Sequence, residues 1–171
     1  SPHGPVALRD GRLLYAGKEI WTEGQHAGIS FSSDDGVTWT PMRRLPVRNE
    51  DTVVKYHELH AVEAPSGKLI VQIRNANTNN EGETLQTEST DGGATWTTPH
   101  PIGVWGLPSH LLRLRSGRLL MAYGYRRAPF GNQARWSDDE GATWSAPIAI
   151  SSDGMGGDLG YPSTVELADG S

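Results

Sequence analysis

Two carboxylate- and imidazole-bearing residues stand two apart in "YHELH", where Glu58 and His60 flank Leu59. A glutamate in such a place can act as an acid or base, or polarise a tyrosine. An imidazole can shuttle protons near neutral pH. The same two residues also suit a hydrogen-bonded structural pair at the start of a strand, and His60 and His110 suit satisfied structural histidines. A zinc site of the HExxH kind needs two helical histidines four apart. "HELH" lies in a strand-like run, so no metal site is expected. Cations come from Lys18, from Arg74 ahead of "NANTNN" (residues 75–80, beginning with Asn75), and from Arg126 and Arg127 in "YGYRRAPFGNQ". Adjacent arginines in extended chain point opposite ways, so at most one of Arg126 and Arg127 is expected to face a common centre. Asp51, Lys55, Tyr56, Trp105 and Asp158 complete the set, although Asp158 in "GMGGDLGYPS" also suits a residue that shapes a glycine-rich loop. Arginine grips a carboxylate with a bidentate fork, and tryptophan or tyrosine stacks on a sugar face, so the set suits a small anionic or polyhydroxy ligand.

These residues are scattered over the chain, so something must gather them. A repeat supplies it. "SSDDGVTW", "STDGGATW" and "SDDEGATW" share one pattern: Ser, any, Asp, any, Gly, any, Thr, Trp. Its positions are Ser32, Asp34, Gly36, Thr38 and Trp39, then Ser89, Asp91, Gly93, Thr95 and Trp96, then Ser137, Asp139, Gly141, Thr143 and Trp144. A second repeat, an apolar run with an Asp-Gly or Ser-Gly turn, places turn glycines at Gly11, Gly67, Gly117 and Gly170, with the last copy cut short at Ser171. A period of about fifty residues marks propeller blades and similar arrays. The 21 glycines, 11 prolines and short apolar runs point to many short strands.

Each unit reads as four antiparallel strands A to D. Strand A is predicted at 5–9, 60–64 and 110–113. Strand B is predicted at 12–17, 68–73 and 118–123, and strand C at 26–32, 84–88 and 133–136. Strand D is predicted from Thr38, Thr95 and Thr143, and the octapeptide forms the C–D turn. There Asp accepts turn N–H groups, Gly supplies a left-handed backbone, Thr restarts a strand and Trp packs on the neighbouring sheet. Three separate copies cannot line one active site, so the octapeptides read as folding staples. The A–B turns and octapeptides fall at one end of each blade. The B–C loops, D–A links and starts of strand A fall at the other, where loops converge and chemistry is expected. Nine residues before the turn glycines stand Pro2, Glu58, Pro108 and Tyr161. Two further on stand Gly4, His60, His110 and Ser163, on the same strand face. Each inner strand is therefore polar at its mouth and apolar below.

The three octapeptides resemble the Asp-box, or bacterial neuraminidase repeat, of the sialidase superfamily. The resemblance implies an all-β, six-bladed β-propeller, of which this chain supplies about three four-stranded blades plus one extra strand. Blades fall at about 1–48, 56–104 and 107–157, with the first strand of a further blade at 161–171. It further implies an exo-acting, retaining glycoside hydrolase without a cofactor, with secretion or export to the periplasm, acting on terminal, anionic sugars of glycans. Sialidases use a tyrosine nucleophile paired with a glutamate. "GYPSTVELADG" partly matches their tyrosine strand, which makes Tyr161 the candidate nucleophile and Glu58 its partner, with His60 as a further catalytic candidate. Arg74, Arg126, Arg127, His110, Lys18, Asn75, Trp105 and Asp158 are the candidate substrate-binding residues. The arginine-Ile-Pro signature that precedes the first Asp-box in sialidases is absent, and no aspartate is matched to their acid. Alternatives are another polysaccharide hydrolase or lyase on this fold, and a non-catalytic carbohydrate- or protein-binding propeller or inactive fragment.

A net charge of −5 and the absence of long apolar runs give no reason to expect nucleic acid or membrane as partner. With no cysteine, disulfides are excluded. Three blades leave sheet edges open. The chain is expected either to be a piece of a longer protein or to self-associate to cover them.

Overall fold

The structure is a computed structural model that describes residues 2–77 and 82–171. Twelve strands form three four-stranded antiparallel sheets, each in simple sequence order. The first sheet holds β1 (Val6–Ala7), β2 (Leu13–Lys18), β3 (Ala27–Ser32) and β4 (Arg43–Arg44). The second holds β5 (Tyr56–Glu63), β6 (Leu69–Asn75), β7 (Thr84–Ser89) and β8 (His100–Pro101). The third holds β9 (Ser109–Arg113), β10 (Leu119–Tyr125), β11 (Gly131–Ser137) and β12 (Ile148–Ala149). A single 3-10 turn, Val53–Lys55, is the one helical element among the described residues. Up-and-down four-stranded sheets repeated along the chain are propeller blades.

The fourth strands depart from expectation. They begin at Arg43, His100 and Ile148, not at Thr38, Thr95 and Thr143, and each has only two residues. Pro41, Pro99 and Pro147 follow the three tryptophans, and a proline has no N–H to give the ladder. β1 is also shorter than predicted, and β5 starts four residues earlier.

The octapeptides fold alike. In each, the serine hydroxyl donates to the aspartate Oδ1, at 2.8 Å in all three copies. The glycine N–H donates back to the serine Oγ at 2.9, 2.9 and 2.7 Å. The threonine gives its N–H and its hydroxyl to the same carboxylate. The carboxylate and the serine hydroxyl together thus satisfy the turn's donors, the staple role read from sequence. The tryptophans work between blades. Trp96 packs on the core shared by the first and second sheets, and Trp144 on that shared by the second and third. Trp39, with no preceding blade in this chain, stays 38% exposed.

The middle blade is buried on both faces. On β6, Leu69, Val71 and Ile73 turn toward the first blade, and Ile70 toward the third, as strand alternation requires. Burying each such side chain is worth about 1.5–3 kcal/mol. The A–B turn recurs four times with one bonding scheme. Leu8, Ala64, Leu114 and Leu167 donate N–H groups to the carbonyls of Arg12, Lys68, Arg118 and Ser171. The fourth copy forms although residues 161–171 carry no assigned strand. That segment lies along the third blade, where the Arg115 N–H meets Glu166 Oε2 at 2.8 Å and the Arg115 guanidinium meets the Leu167 and Ala168 carbonyls.

The same joint links the first two blades, where the Arg9 N–H donates to Glu63 Oε2 at 2.8 Å. It is missing between the second and third. There Pro65 stands at the arginine's level and has no N–H, and Arg113 stands where Glu63 and Glu166 stand in the other copies.

Candidate active site

Bulging of β5 builds the site. Tyr56 pairs with Asn75 and Leu59 with Ile73, so three steps of β5 oppose two of β6. A bulge of this kind re-aims side chains and is common beside active sites. Here it sets His57 and Glu58 side by side at the mouth, opposite Arg74. Leu59 and Tyr56, on either side, remain fully buried and anchor the strand.

Tyr161 arrives from the far end of the chain. Its hydroxyl donates to Glu58 Oε1 at 2.8 Å. Arg74 Nη1 meets both Glu58 oxygens at 3.1 Å and the Tyr161 hydroxyl at 3.4 Å. Tyr161 is 46% exposed, while Glu58 and Arg74 are largely covered. Burial pushes the Glu58 carboxyl up. The hydrogen bonds from Tyr161, from its own backbone and from Arg74, with the Arg74 charge, outweigh burial and hold it below the ordinary glutamate value. Glu58 is therefore an ionised acceptor at neutral pH, aimed at a phenol.

The backbone that delivers Tyr161 is strained. Its φ is +61°, a region bulky side chains avoid. Such strain persists only where surroundings enforce it, and it gathers at functional positions. Two glycines do the enforcing. A Cβ on Gly124 would lie 2.6 Å from the Gly160 Cα, and one on Gly160 would lie 2.9 Å from the Leu107 carbonyl. Only a glycine pair lets the strap before Tyr161 come this close to β10.

Two clefts flank the Tyr161–Glu58–Arg74 cluster. One, about 220 Å³, is lined by Trp105, Arg126 and Arg127 among others. Arg126 lies 6.0 Å from the Tyr161 ring and Arg127 lies 5.0 Å from the Trp105 ring. The Arg126 Nε is buried with no hydrogen-bond partner among the described residues. Both arginines therefore reach this side, one over each ring, and not at most one as expected, because they lie just past the end of β10, where strand alternation no longer applies. The other cleft, about 550 Å³, runs from Glu58 past His57 and Lys18 to Trp21. The Lys18 ammonium donates to the Val54 carbonyl at 2.7 Å, and burial lowers its pKa against the pull of Glu58. Burial lowers the His57 pKa too, helped by Arg74 and Lys18 and opposed by Glu58, so the imidazole is neutral at pH 7.

Below the mouth, on the hub, His60 and His110 stack at 4.6 Å, and His3 lies 4.9 and 5.0 Å from them. His60 Nδ1 accepts the Leu111 N–H at 2.9 Å, and His110 Nδ1 meets the Thr164 hydroxyl at 2.9 Å. Burial pulls the His60 pKa down to about 3 and the His3 pKa to about 4, with His110 adding to each, and lowers that of His110 itself. Among the described residues no group of His, Cys, Asp and Glu is arranged to hold a metal ion.

The structure thus brings Tyr161, Glu58 and Arg74 into contact, with Arg126, Arg127, Trp105 and Lys18 around them. His60 and His110 belong to the hub beneath. Asn75 does not reach the mouth: it is fully buried, and its Oδ1 accepts both the backbone and side-chain N–H of Asn77. The rest of "NANTNN" from residue 78 on lies outside the described residues. Asp158 is exposed on the loop before Tyr161. Asp51 and Tyr56 form a packed knot, in which the Tyr56 hydroxyl donates to Asp51 at 2.7 Å and Arg48 grips the same carboxylate through two nitrogens. Strict alternation turned His57 away from the site, and only the bulge reverses this. Trp21 and His3 carried no repeat signal, although a tryptophan in a polar B–C loop is itself a cue.

Three Asp-box blades around one hub, with polar side chains gathered at the end away from the boxes, define a partial β-propeller of the sialidase type. Residues 3–171 match the BNR repeat-like domain family, and the chain belongs to it. Its fold is similar to that of a protein of unknown function from Dyadobacter fermentans DSM 18053 (TM-score 0.80, 29% identity, covering 92% of this chain and 43% of that one). It is also similar to the Hadza microbial sialidase Hz136 (TM-score 0.65, 20% identity, 82% of this chain and 35% of that one). A third similar structure is a polysaccharide lyase, an ulvan lyase bound to -[GlcA(1-4)Rha3S]- (TM-score 0.62, 11% identity, 86% of this chain and 39% of that one). The chain spans less than half the length of each of these structures. No curated protein matches it.

Proposed function

We propose that this chain carries the nucleophile half of a glycan-active site, a retaining exo-glycosidase for terminal anionic sugars. The observation that carries the reading is the 2.8 Å hydrogen bond from Tyr161 to Glu58, bridged by Arg74. Tyr161 Oη attacks the anomeric carbon, and its proton passes to Glu58. The bond to the leaving-group oxygen breaks, and that oxygen takes a proton from an acid outside this pair. Water then attacks the glycosyl–tyrosine carbon and gives its proton to the conjugate base of that acid, and as the bond to tyrosine breaks Glu58 returns the proton it holds to the phenol oxygen. A tyrosine nucleophile is a recognised exception to the two-carboxylate scheme. It suits an anionic sugar, since a carboxylate nucleophile would be repelled. Arg126 and Arg127 offer forks for the sugar's carboxylate. The likeness to solved structures of a sialidase and a polysaccharide lyase supports a glycan ligand.

A second reading has its own observation. A neutral His57 beside Lys18 also suits proton abstraction next to a uronic-acid carboxylate, with elimination in place of hydrolysis. The test is mass spectrometry of products from the whole protein on sialosides and uronate oligosaccharides. Hydrolysis adds the mass of one water and elimination does not. Tyr161→Phe is expected to abolish hydrolysis, and Glu58→Gln to lower kcat by about 100-fold or more. Full hydrolysis by Tyr161→Phe refutes the nucleophile. Glycan binding without turnover in the wild type assigns the domain to recognition alone.

A further inference from the structure

Trp21 stands where no structural role holds it. It is 93% exposed, and its neighbour Ile20 is 56% exposed, on the loop between β2 and β3. Together the two side chains make an exposed apolar patch at the rim of a polar cleft, the kind of surface that marks a ligand-binding groove. The cleft it borders is the one that reaches Glu58, with Lys18, Gln25 and His57 between them. Its volume of about 550 Å³ lies within the roughly 300–1,000 Å³ of small-ligand sites.

The two clefts differ in chemistry. The Arg126–Arg127 side is cationic and lies against the Tyr161 ring. The Trp21 side offers one large apolar face with polar groups along its floor. A sugar ring has that shape: one face of C–H groups to lie on an indole and an edge of hydroxyls for an ammonium, an amide and an imidazole. In-line attack by Tyr161 also places the leaving group on the far side of the reacting ring, away from the hydroxyl. A platform for the leaving group must therefore rise from the surface, and an almost wholly exposed tryptophan does.

We infer that the Trp21 cleft is a leaving-group subsite that stacks the sugar next to the scissile bond, so the substrate is an oligosaccharide rather than a simple glycoside. This rests on the reading of Tyr161 and Glu58 as the reacting pair. The anionic ring sits against Tyr161 and Arg126, and the next sugar, on the side of that ring away from the Tyr161 hydroxyl, leans onto Trp21. Lys18, fixed by the Val54 carbonyl, and Gln25 meet its hydroxyls or an acidic substituent.

The experiment uses the whole protein with two trisaccharides, sialyllactose and a uronate trisaccharide, and the corresponding methyl monosaccharide glycosides. Trp21→Ala is expected to raise KM for the favoured trisaccharide ~10-fold. Its kcat and its KM for the methyl glycoside stay unchanged, and Trp21→Phe recovers part of the loss. Calorimetric binding of the trisaccharides to Tyr161→Phe, with and without Trp21→Ala, separates the subsite from the chemistry. A ~10-fold weaker Kd in the double variant supports the subsite even where no glycan is turned over, the result that sinks the hydrolase reading alone. Equal Kd values, equal KM values, or binding of neither trisaccharide overturns the subsite.

Discussion

Burying three imidazoles on the hub ties stability to pH, and His60 allows the size to be worked out. Its folded pKa of about 3 stands against 6.5 for the free side chain, with burial as the main cause and the neighbouring His110 and His3 adding to it. The folded form refuses a proton that the unfolded chain accepts, so stability is full above pH 6.5. It is lost as pH falls from there toward 3. Between pH 7 and pH 5 the loss from His60 alone is about 2 kcal/mol, and below pH 3 it levels off at about 5 kcal/mol. The perturbation is His60→Asn. The asparagine Oδ1 occupies the place of imidazole Nδ1 and still accepts the Leu111 N–H, but it does not titrate. Urea unfolding of wild type and variant at pH 7 and pH 5 gives the four free energies needed. The wild type is expected to lose about 2 kcal/mol more than the variant over that interval. His3 and His110 titrate in both proteins, so the part of their contribution that does not depend on His60 drops out of the difference. Parallel losses in the two proteins would refute the reasoning, whatever the variant's stability at pH 7.

Gly124→Ala forces a methyl against the Gly160 backbone and is expected to shift Tyr161 off Glu58, lowering kcat of the whole protein by about 100-fold. Its urea midpoint should move less than that of Gly93→Ala. Gly93 has φ +90° and its Cβ would lie 2.5 Å from the Phe31 ring, so Gly93→Ala is expected to cost about 2 kcal/mol or more, read by the same unfolding. The Phe31 ring is further confined by Arg12, whose guanidinium lies 4.4 Å over it. The chain by itself exposes Val165, Leu167 and half-covered Trp39, and is expected to self-associate at micromolar concentration. Light scattering that shows a stable folded monomer would refute this.

How much of the site was legible follows from where the repeat reaches. Aligning copies on Gly11, Gly67, Gly117 and Gly170 put Glu58 and Tyr161 at one level, because equivalent strand positions in successive blades meet around one hub. Arg74 was legible as the end of a strand B that returns beside Glu58. Asn75, one residue on, looked the same in sequence. Its position at the buried strand end, with Asn77 on its side chain, turns it into the fold. His60 and His110 were placed at the mouth by alternation. Their descent to the hub depends on the Leu111 N–H and on His3, which no repeat position announced.

By itself the sequence determined the blades, because a stapled turn and an Asp-Gly or Ser-Gly turn recurring about every fifty residues leave few other folds. It also sorted the loops, since strand direction alone puts the octapeptides and the A–B turns at one end of each blade and the B–C loops at the other. Tertiary packing decided the rest. The β5 bulge swung His57 in beside Glu58, the Gly124–Gly160 contact drove Tyr161 into its left-handed backbone, and the β2–β3 loop left Trp21 standing over the cleft. The Gly124–Gly160 contact depends on how closely two backbones approach, a distance that no run of neighbouring residues encodes.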